Sequence, residues 1–434
     1  MKNMKLLSGH KRIVNTFTPL LLILFFNLLC VFPNSKSEGS GKLSGMGNGD
    51  HKAVPNYIET DSFDYSYARI RLVLPDTSTE YISLIGSSIM KVYFEGVTAG
   101  TANDTSGNGL DEVPTELTKL NLIGTGPSVG PVIIQLNSQK QSVGIIEEMT
   151  NNTPGILDVP PFTATGMAFS FFDVYVEMEI NGQILHTNNS QRLLKNLTHK
   201  PPLPGDTYTN PSSTPLELFN ESEDKSGMSM IIDSYIPAAI FEIDTFDLSL
   251  VQIRLILSKS RTVVISLPGT SQWNVFFEGS TYDGSALDDD NDGLDDVISE
   301  ISNLNLARLD STLGNVSMHL YSRNRTLGIM EELANNTPGR LDVPPFTATG
   351  AVRSSFAAFV EIVIDKKIYH TSLPYHLQSD LYHKPPAPGT KYIDPFSSSL
   401  ELLDESDLPT GNYMKIDYYI PNFILSPGNT WMLQ

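Results

Sequence analysis

The feature that most constrains this chain is an internal duplication. The segment VGIIEEMTNNTPGILDVPPFTATG, which ends at Gly166, returns as LGIMEELANNTPGRLDVPPFTATG, which ends at Gly350, 184 residues later, and shorter matches flank it. A unit of this length can enclose its own hydrophobic core, which a short solenoid unit cannot. The sequence therefore predicts two tandem homologous domains, residues 56–237 and 238–421. The segment IPAAIFEID between them is short and apolar, so we expect the domains to touch rather than swing freely.

Three further segments lie outside the duplication. Residues 1–37 have a basic start, the apolar run PLLLILFFNLLCVF and then the segment SKS, with small residues where a signal peptidase cuts. This pattern predicts a cleaved secretory signal peptide, with a retained membrane anchor as the alternative. Residues 38–55 are typical of a flexible polar leader. Residues 422–434 form a C-terminal tail that resembles the opening of a third unit.

A hydrophobic periodicity of two residues dominates each domain. ARIRLVL places Ile70, Leu72 and Leu74 on one face, and FFDVYVEMEI alternates in the same way, with NGQILHT after it as a hairpin turn and return strand. Short β-rich runs punctuated by 31 Gly and 28 Pro residues predict β-sandwiches. The fold class that follows is all-β: two tandem homologous antiparallel β-sandwich domains with little helix. The strand order does not follow from the sequence.

One segment departs from this periodicity. VISEISNL, directly after an acidic loop, has apolar residues at a helical spacing and predicts about two helical turns. The residues on the apolar side of this helix would be Val297, Ile298, Ile301 and Leu304.

The chain is acidic and has a single cysteine. Its formal charge of −20 becomes −25 once residues 1–37, which carry five basic and no acidic side chains, are removed. Such a charge excludes general electrostatic binding of nucleic acid and favours solubility and cation binding. Cys30 lies within the predicted signal peptide, so the mature chain would have no disulfide. A secreted protein of this kind depends on its core, on metal, or on both.

The segment ALDDDNDGLDD carries six carboxylates between Asp288 and Asp296. Oxygen-bearing residues alternate along it, Gly293 permits a sharp turn, and the carbonyl of Leu294 can point inward. This spacing of hard oxygen ligands favours Ca²⁺ over Mg²⁺ or Zn²⁺, and a bound cation offsets the repulsion between the carboxylates. The alternative is a solvated acidic loop. The expected ligands are Asp288, Asp290, Asp292, Leu294 and Asp296.

The first domain has NDTSGNGLDE at the matching place. The oxygens persist, but they carry less side-chain charge, so we expect a weaker calcium site there. In the second loop, Asp289 and Asp295 are expected to point outward into solvent, and Ser299 stands where a full EF-hand has its bidentate glutamate. The expected ligands in the first loop are Asp104, Ser106, Asn108, Leu110 and Glu112.

Two resemblances point the same way. Over Asp288–Asp296 alone, the second loop resembles the loops of thrombospondin type 3 repeats and the related DxDxDGLxD loops of bacterial surface proteins, which implies calcium. Each whole unit is similar to a repeat of secreted bacterial surface proteins, through GLDEV, NNTPG with DVPPF, FFDVYVE and HKPPLPGD. That resemblance implies location and calcium but no activity. The second copy has Ala357 where the first has Asp173, so it implies no role for Asp173.

The repeated glutamate pair offers an alternative chemistry. Glu147 and Glu148 recur as Glu331 and Glu332, and two carboxylates at the right separation can hydrolyse a glycoside. Adjacent residues of a strand face opposite sides, however, so neither pair forms such a site directly. The turn-rich NNTPG and DVPPF flanks favour a structural or ligand-contact loop.

Histidines and aromatic residues supply the remaining candidates. His199 and His383 recur in HKPPxPG, where we expect an extended Pro-rich turn with each ring bonded to a nearby backbone carbonyl; His186 and His370 also recur, without a second histidine at ligand spacing. Exposed aromatic rings would offer a platform for sugars, with core packing as the alternative. The aromatic candidates are Tyr93, Phe94, Trp273, Phe276 and Phe277.

These observations predict a secreted or cell-surface protein, extracellular or periplasmic, that is calcium-stabilised, structural or adhesive, and not an enzyme. Its expected partners are calcium and a surface polysaccharide or another surface protein, but not nucleic acid, and it would not span a membrane after signal cleavage. The alternative is a carbohydrate-binding protein, or less favourably a glycoside hydrolase that uses Glu147/Glu148 or Glu331/Glu332.

Overall fold

The computed structural model confirms the predicted fold class. The residues that it describes contain no helix, and every pairing between their strands is antiparallel. They form two separate sheets, one within residues 57–236 and one within residues 240–420. The predicted signal peptide and leader, and the tail from residue 425 onward, lie outside the described residues. The described residues are 57–424 without 127, 258–260, 279–282 and 289–291.

The sheet of the first domain has 12 strands. They are β1 (Tyr57–Val73), β2 (Thr79–Phe94), β3 (Glu112–Gly126), β4 (Gly130–Leu136), β5 (Ser142–Glu148), β6 (Ala168–Val174), β7 (Val176–Ile180), β8 (Gln183–Thr187), β9 (Gln191–Leu197), β10 (Tyr208–Thr209), β11 (Leu216–Phe219) and β12 (Lys225–Ile236).

The sheet of the second domain has 11 strands. They are β13 (Ile240–Leu257), β14 (Arg261–Phe277), β15 (Asp296–Asp310), β16 (Gly314–Leu320), β17 (Thr326–Glu332), β18 (Val352–Ala358), β19 (Val360–Ile364), β20 (Lys367–His370), β21 (Tyr375–Leu381), β22 (Leu400–Leu403) and β23 (Pro409–Ile420).

Long strands close each domain into a sandwich. In the first domain the order β1-β2-β3-β4-β7-β8-β11-β12 returns to β1, and β5, β6, β9 and β10 connect β3 to β12. In the second domain the order β14-β13-β23-β22-β20-β19-β16-β15 returns to β14, and β17, β18 and β21 branch from β15. The two domains therefore repeat one topology, which is the structural counterpart of the duplication.

The alternation predicted for FFDVYVEMEI is confirmed, although the segment is divided between β6 and β7. A hairpin follows it, because Asn181 and Gly182 both adopt positive φ, at 52° and 75°, as a two-residue type I′ turn requires. The buried, core-facing residues of the segment are Phe172, Val174, Val176, Met178 and Ile180.

β15 corrects one prediction. The segment VISEISNL is not helical but forms the start of this strand, paired with β14 and β17. A bulge leaves Ser302 without a partner in β14, so the core-facing positions change from Val297 and Ile301 to Leu304. Ile298 faces the other way, into a cluster between the domains. Burial on both faces and the bulge together place apolar residues at a spacing that imitates a helix.

Each domain has its own core, and a third apolar cluster lies between them. Its buried members come from both domains, and Asn274 Nδ2 donates a hydrogen bond to Tyr65 Oη at 3.1 Å beside it. The hydroxyl of Tyr67 donates a further bond across the interface to Glu278. The domains are therefore in contact, as the apolar linker predicts. The buried residues of this interdomain cluster are Tyr67, Ile85, Ile236, Ala239, Phe276 and Ile298.

Candidate calcium loops

The first acidic loop, residues 103–112, is wound around the carboxylate of Asp104. Its Oδ1 accepts the backbone N–H of Asn108 at 2.9 Å, and its Oδ2 accepts that of Gly109 at 2.8 Å. Asn108 Oδ1 in turn accepts the N–H of Leu110 at 2.8 Å. Gly109 has a φ of 90°, a conformation that glycine adopts without strain. The loop therefore has the tight winding that brings alternate oxygens toward one side.

The predicted ligands of this loop meet around a residue that was not predicted as a ligand, Glu147. Asn108 Nδ2 donates to Glu147 Oε1 at 2.8 Å, and Glu112 lies opposite Glu147 across the β3–β5 pair. Burial raises the pKa of Glu112; a hydrogen bond from Ser106 lowers it, and the neighbouring Glu147 and Asp104 raise it further. Four predicted side chains thus lie in one cluster with Glu147. The repetition of the glutamate pair in both domains was the sequence signal that could have pointed to Glu147.

The second acidic loop, residues 288–296, has the same winding where it is described. Asp288 Oδ1 accepts the N–H of Asp292 at 3.0 Å, and its Oδ2 accepts that of Gly293 at 3.0 Å. Asp292 Oδ1 accepts the N–H of Leu294 at 2.9 Å. The two loops therefore share one backbone design despite their different side chains.

The second loop also touches the first domain. The guanidinium of Arg69, on β1, donates to the carbonyl oxygen of Asp288 at 2.8 Å. At the other end of the loop, Asp296 lies opposite Glu331 on β17, which repeats the relation between the matching glutamates of the first domain. The predicted ligand Asp290, together with Asp289, lies outside the described residues.

A second layer of carboxylates lies beneath the first acidic loop. Glu148 is 1% exposed; its Oε1 accepts the N–H of Asp111 at 2.9 Å, and its Oε2 accepts that of Asp158 at 3.1 Å. Asp111 and Asp158 accept three backbone N–H groups of the NNTPG segment at 2.5 to 2.9 Å. The buried carboxylates therefore hold the NNTPG segment against the acidic loop. Since Asp158 belongs to DVPPF, this gives the NNTPG and DVPPF motifs a structural role.

The same layer in the second domain corrects the expectation for Asp295. This residue is 4% exposed, and its Oδ2 accepts the N–H of Gly339 at 2.5 Å. Asp296 begins β15 and faces Glu331 within the loop, so the preceding residue, Asp295, faces the interior. The outward, solvated position predicted for Asp295 is wrong.

Burial changes the acidity of the central glutamates in this layer. It raises the pKa of Glu148, against backbone hydrogen bonds that lower it, and nearby Asp111 and Asp158 raise it further. Burial raises the pKa of Glu332 to about 7. Glu332 Oε1 accepts the N–H of Asp342 at 2.6 Å, whereas its Oε2 is buried without a hydrogen-bond partner. The two glutamates thus occupy matching positions with unequal support.

The strand geometry separates the two members of each glutamate pair. Glu147 faces the first acidic loop, and Glu148 faces the interior beneath it. The burial of Glu332 beside Glu331 follows the same alternation. Neither pair therefore places two carboxylates on one face of its strand, as the sequence predicts.

An unpartnered oxygen lies beside the first acidic loop, and another lies at the matching position of the second domain. The side-chain oxygens of Asn151 and Asn335 are buried without a hydrogen-bond partner, and Asn151 Nδ2 donates to the carbonyl of Gly109 at 3.3 Å. Such an oxygen is costly unless something binds it, and an amide oxygen is a suitable calcium ligand. Among the described residues, no three His, Cys, Asp or Glu side chains are arranged to hold a metal as they stand. The oxygens offered here include hydroxyl and amide groups as well as carboxylates.

The HKPP motif holds a buried lysine that was not singled out from the sequence. Lys200 is 0% exposed and pairs with Glu59 at 2.6 Å and Asp61 at 2.7 Å on β1. Lys384 repeats the arrangement in the second domain with Glu242 and Asp244, at 3.0 and 3.1 Å. The only signal for it was the repetition of the lysine in both copies.

The histidines of the repeated motifs have local structural partners. His199 Nδ1 lies 3.1 Å from the carbonyl oxygen of Pro201, and His383 Nδ1 lies 3.1 Å from that of Pro385, as predicted. His186 pairs with Glu223 at 3.3 Å. His370 pairs with Asp407 at 2.8 Å and stacks on Tyr321.

The aromatic platform proposed from the sequence is wrong. Phe94, Trp273, Phe276 and Phe277 are at most 2% exposed, so their rings contribute to apolar clusters rather than to a surface. Tyr93 is partly buried, and its hydroxyl donates to Glu116. Core packing, the stated alternative, explains the four buried rings.

Comparisons with known proteins show no family for this chain, so its class rests on the fold alone. No family model matches the sequence, and no curated protein matches it. Among solved structures, the chain is similar to DynF from the dynemicin biosynthesis pathway of Micromonospora chersina, with 14% identity over 42% of this chain and 82% of that chain and a TM-score of 0.32. Among the described residues, no helix is long and apolar enough to cross a membrane.

Proposed function

We propose that this chain is a secreted, calcium-stabilised, two-domain β protein that acts as a structural or adhesive module outside the cell or at its surface, without catalysis. The observation that carries the proposal is the cluster at a tightly wound loop in which Asn108 and Glu112 lie against Glu147, with Ser106 and Asp104 beside Glu112. Crowded oxygens of this kind repel one another, and a divalent cation reverses that repulsion.

Calcium would act on stability through the layer beneath the loops. Glu148 accepts the N–H of Asp111 in the first loop, and the backbone N–H of Glu332 donates to the carbonyl of Asp295 in the second, so ordering a loop also orders the NNTPG segment and the strands on either side. In both domains the loop residues would bind the ion, and the buried carboxylates beneath would position the loop. The unpartnered oxygens of Asn151 and Asn335 supply further candidate ligands.

The experiment is thermal unfolding of residues 38–434 in calcium and in EDTA. We expect calcium to raise the melting temperature, because a ligand that binds only the folded state stabilises it. Asp290→Ala should remove most of the increase, because the second loop carries more charge, whereas the matched change Ser106→Ala should remove much less. An identical melting curve in calcium and EDTA, with protein shown to be free of metal, would refute the proposal.

A further inference from the structure

A cleft of about 360 Å³ lies between the two domains. One wall comes from β2 and β3 of the first domain, including Tyr81, Ser83 and Thr125, and the other from β15, β17, β18 and β21 of the second. Its volume is within the range of small-molecule binding sites, which commonly occur where domains meet.

On the floor of the cleft, the second domain has smaller side chains than the first domain has at the matching positions. In the first domain the guanidinium of Arg192 stacks 4.1 Å above the ring of Phe171 and pairs with Asp173 at 2.6 Å. Strand pairing places Ser355 and Ala357 at the two positions that match Phe171 and Asp173. The side chains that would cover this face are therefore missing in the second domain.

Three further differences add binding groups to the same face. His376 replaces Arg192, and Gln378 replaces Leu194, according to the matching strand registers. Phe396 stands where the first copy has Ser212, and its ring packs edge-on against His376 at 5.6 Å while remaining 72% exposed. The two homologous domains thus differ in a group of neighbouring residues, with smaller side chains on the floor of the cleft and an aromatic ring at its edge.

The chemistry of the cleft suits a polyhydroxylated ligand. Tyr81 and Phe396 offer apolar ring faces, and the hydroxyl and amide groups of Ser83, Ser355 and Gln378 both donate and accept hydrogen bonds. None of the described residues that line the cleft is Lys or Arg, so the walls offer no cation to an anionic ligand.

We propose that this interdomain cleft binds a neutral saccharide. The inference rests on the adhesive function proposed above, since it names a ligand class for it. Asp296 of the second acidic loop and Glu331, which lies opposite it on β17, both line the cleft. Calcium at that loop would offset their charge and leave the cleft close to neutral, which favours an uncharged ligand. A ring would lie between Tyr81 and Phe396 with its hydroxyls toward Ser355 and Gln378.

The test uses residues 38–434 and isothermal titration with maltose, cellobiose, lactose and chitobiose, in calcium and in EDTA. Saturable binding of at least one disaccharide, with one site per chain, is expected. Glucuronate-containing disaccharides and a lysine-rich peptide serve as charged probes. Absence of saturable binding to all four neutral sugars, or stronger binding of either charged probe, would overturn the proposal.

Two variants locate the site. The triple change Ser355→Phe, Ala357→Asp and His376→Arg restores the first domain's residues and should lower affinity about tenfold or more. The reverse changes Phe171→Ser, Asp173→Ala and Arg192→His provide the matched control and should leave affinity unchanged. If the triple variant misfolds by circular dichroism, Phe396→Ser gives the same test at an exposed position. If the triple variant is folded and binds with full affinity, or if Phe396→Ser does, the sugar binds elsewhere and the assignment is overturned.

The two proposals fail in different ways. If calcium does not change the melting temperature and the triple variant loses sugar binding, calcium stabilisation is refuted and the proposal of a sugar site in the cleft is supported. Calcium stabilisation without any sugar binding would refute the cleft and leave the calcium proposal intact.

Discussion

Glu148 and Glu332 show how far a single residue's surroundings can differ between duplicated copies. Both are buried at matching positions, but both carboxylate oxygens of Glu148 accept backbone N–H groups, whereas Oε2 of Glu332 has no partner. Burial disfavours the charged form and is the main cause that raises the pKa of Glu332 to about 7, and the charges of Asp342 and Asp295 raise it further. The second domain therefore carries an acid that is poorly accommodated as an anion.

This difference predicts a pH effect that Glu332→Gln should reduce. Since the pKa of Glu332 is raised from 4.5 to about 7 in the folded protein, the folded state holds more protons between these values and stability falls as pH rises through them. The shift sets an upper limit of about 3 kcal/mol on the loss. Urea unfolding in EDTA at pH 5 and pH 8 should show a smaller loss in Glu332→Gln than in the unchanged protein.

Glu148→Gln provides the contrast. Both oxygens of Glu148 accept N–H groups, so a glutamine would set its own N–H₂ group against one of these donors. We expect destabilisation of about 1–3 kcal/mol at both pH values. Equal pH profiles for the unchanged protein and Glu332→Gln would contradict the account of Glu332.

Among the elements, the HKPP loops are attached to the first strand of each domain by buried ion pairs. Lys200 reaches Glu59 and Asp61 on β1, and Lys384 reaches Glu242 and Asp244 on β13. Burial raises the pKa of Asp61, and the charge of Lys200 opposes that rise. The lysine thus offsets part of the cost of burying the Asp61 carboxylate.

Lys200→Met should therefore be costly. It leaves Asp61 buried without its countercharge, and we expect a loss of about 3–5 kcal/mol in unfolding free energy. Lys195→Met is the control, because the pair of Lys195 and Asp206, at 3.2 Å, is partly solvent-exposed and should contribute about 0–1 kcal/mol. The double variant Lys200→Met with Asp61→Asn should recover part of the loss. Similar effects of the two lysine substitutions would rule out a special role for the buried pair.

The elements also show what sequence could and could not predict. Alternation identified the β class and the NG hairpin because both depend on local chemistry. The calcium ligands assigned from loop spacing stay a prediction. The bulge at Ser302 and the interdomain face of Ile298 hid β15, since each depends on a partner strand or domain. Glu147 as a loop neighbour likewise depends on the β3–β5 pairing, which the sequence did not reveal.

For the whole molecule, the interdomain cluster decides whether the domains act as one body. Phe276 is 1% exposed, and its ring centre lies 5.5 Å from that of Tyr65 and 5.4 Å from that of Phe241. It belongs to the interdomain cluster, whereas the next residue, Phe277, belongs to the core of the second domain. The adjacent residues Phe276 and Phe277 therefore have different roles: Phe276 contributes to the contact between the domains, and Phe277 contributes to the stability of the second domain.

Phe276→Asp should loosen the domains without unfolding either. A buried charge in the cluster disfavours contact, so small-angle scattering should show a larger radius of gyration while circular dichroism is retained. Phe277→Asp, the matched control, should unfold the second domain. A compact Phe276→Asp protein with an unchanged scattering profile would mean that other contacts hold the domains together.

Because Arg69 of the first domain donates a hydrogen bond to the carbonyl of Asp288, the second acidic loop is held by residues of both domains. Under the calcium proposal, the affinity of that loop for the ion would depend on its contact with the first domain. A force that separates the domains would then also weaken calcium binding.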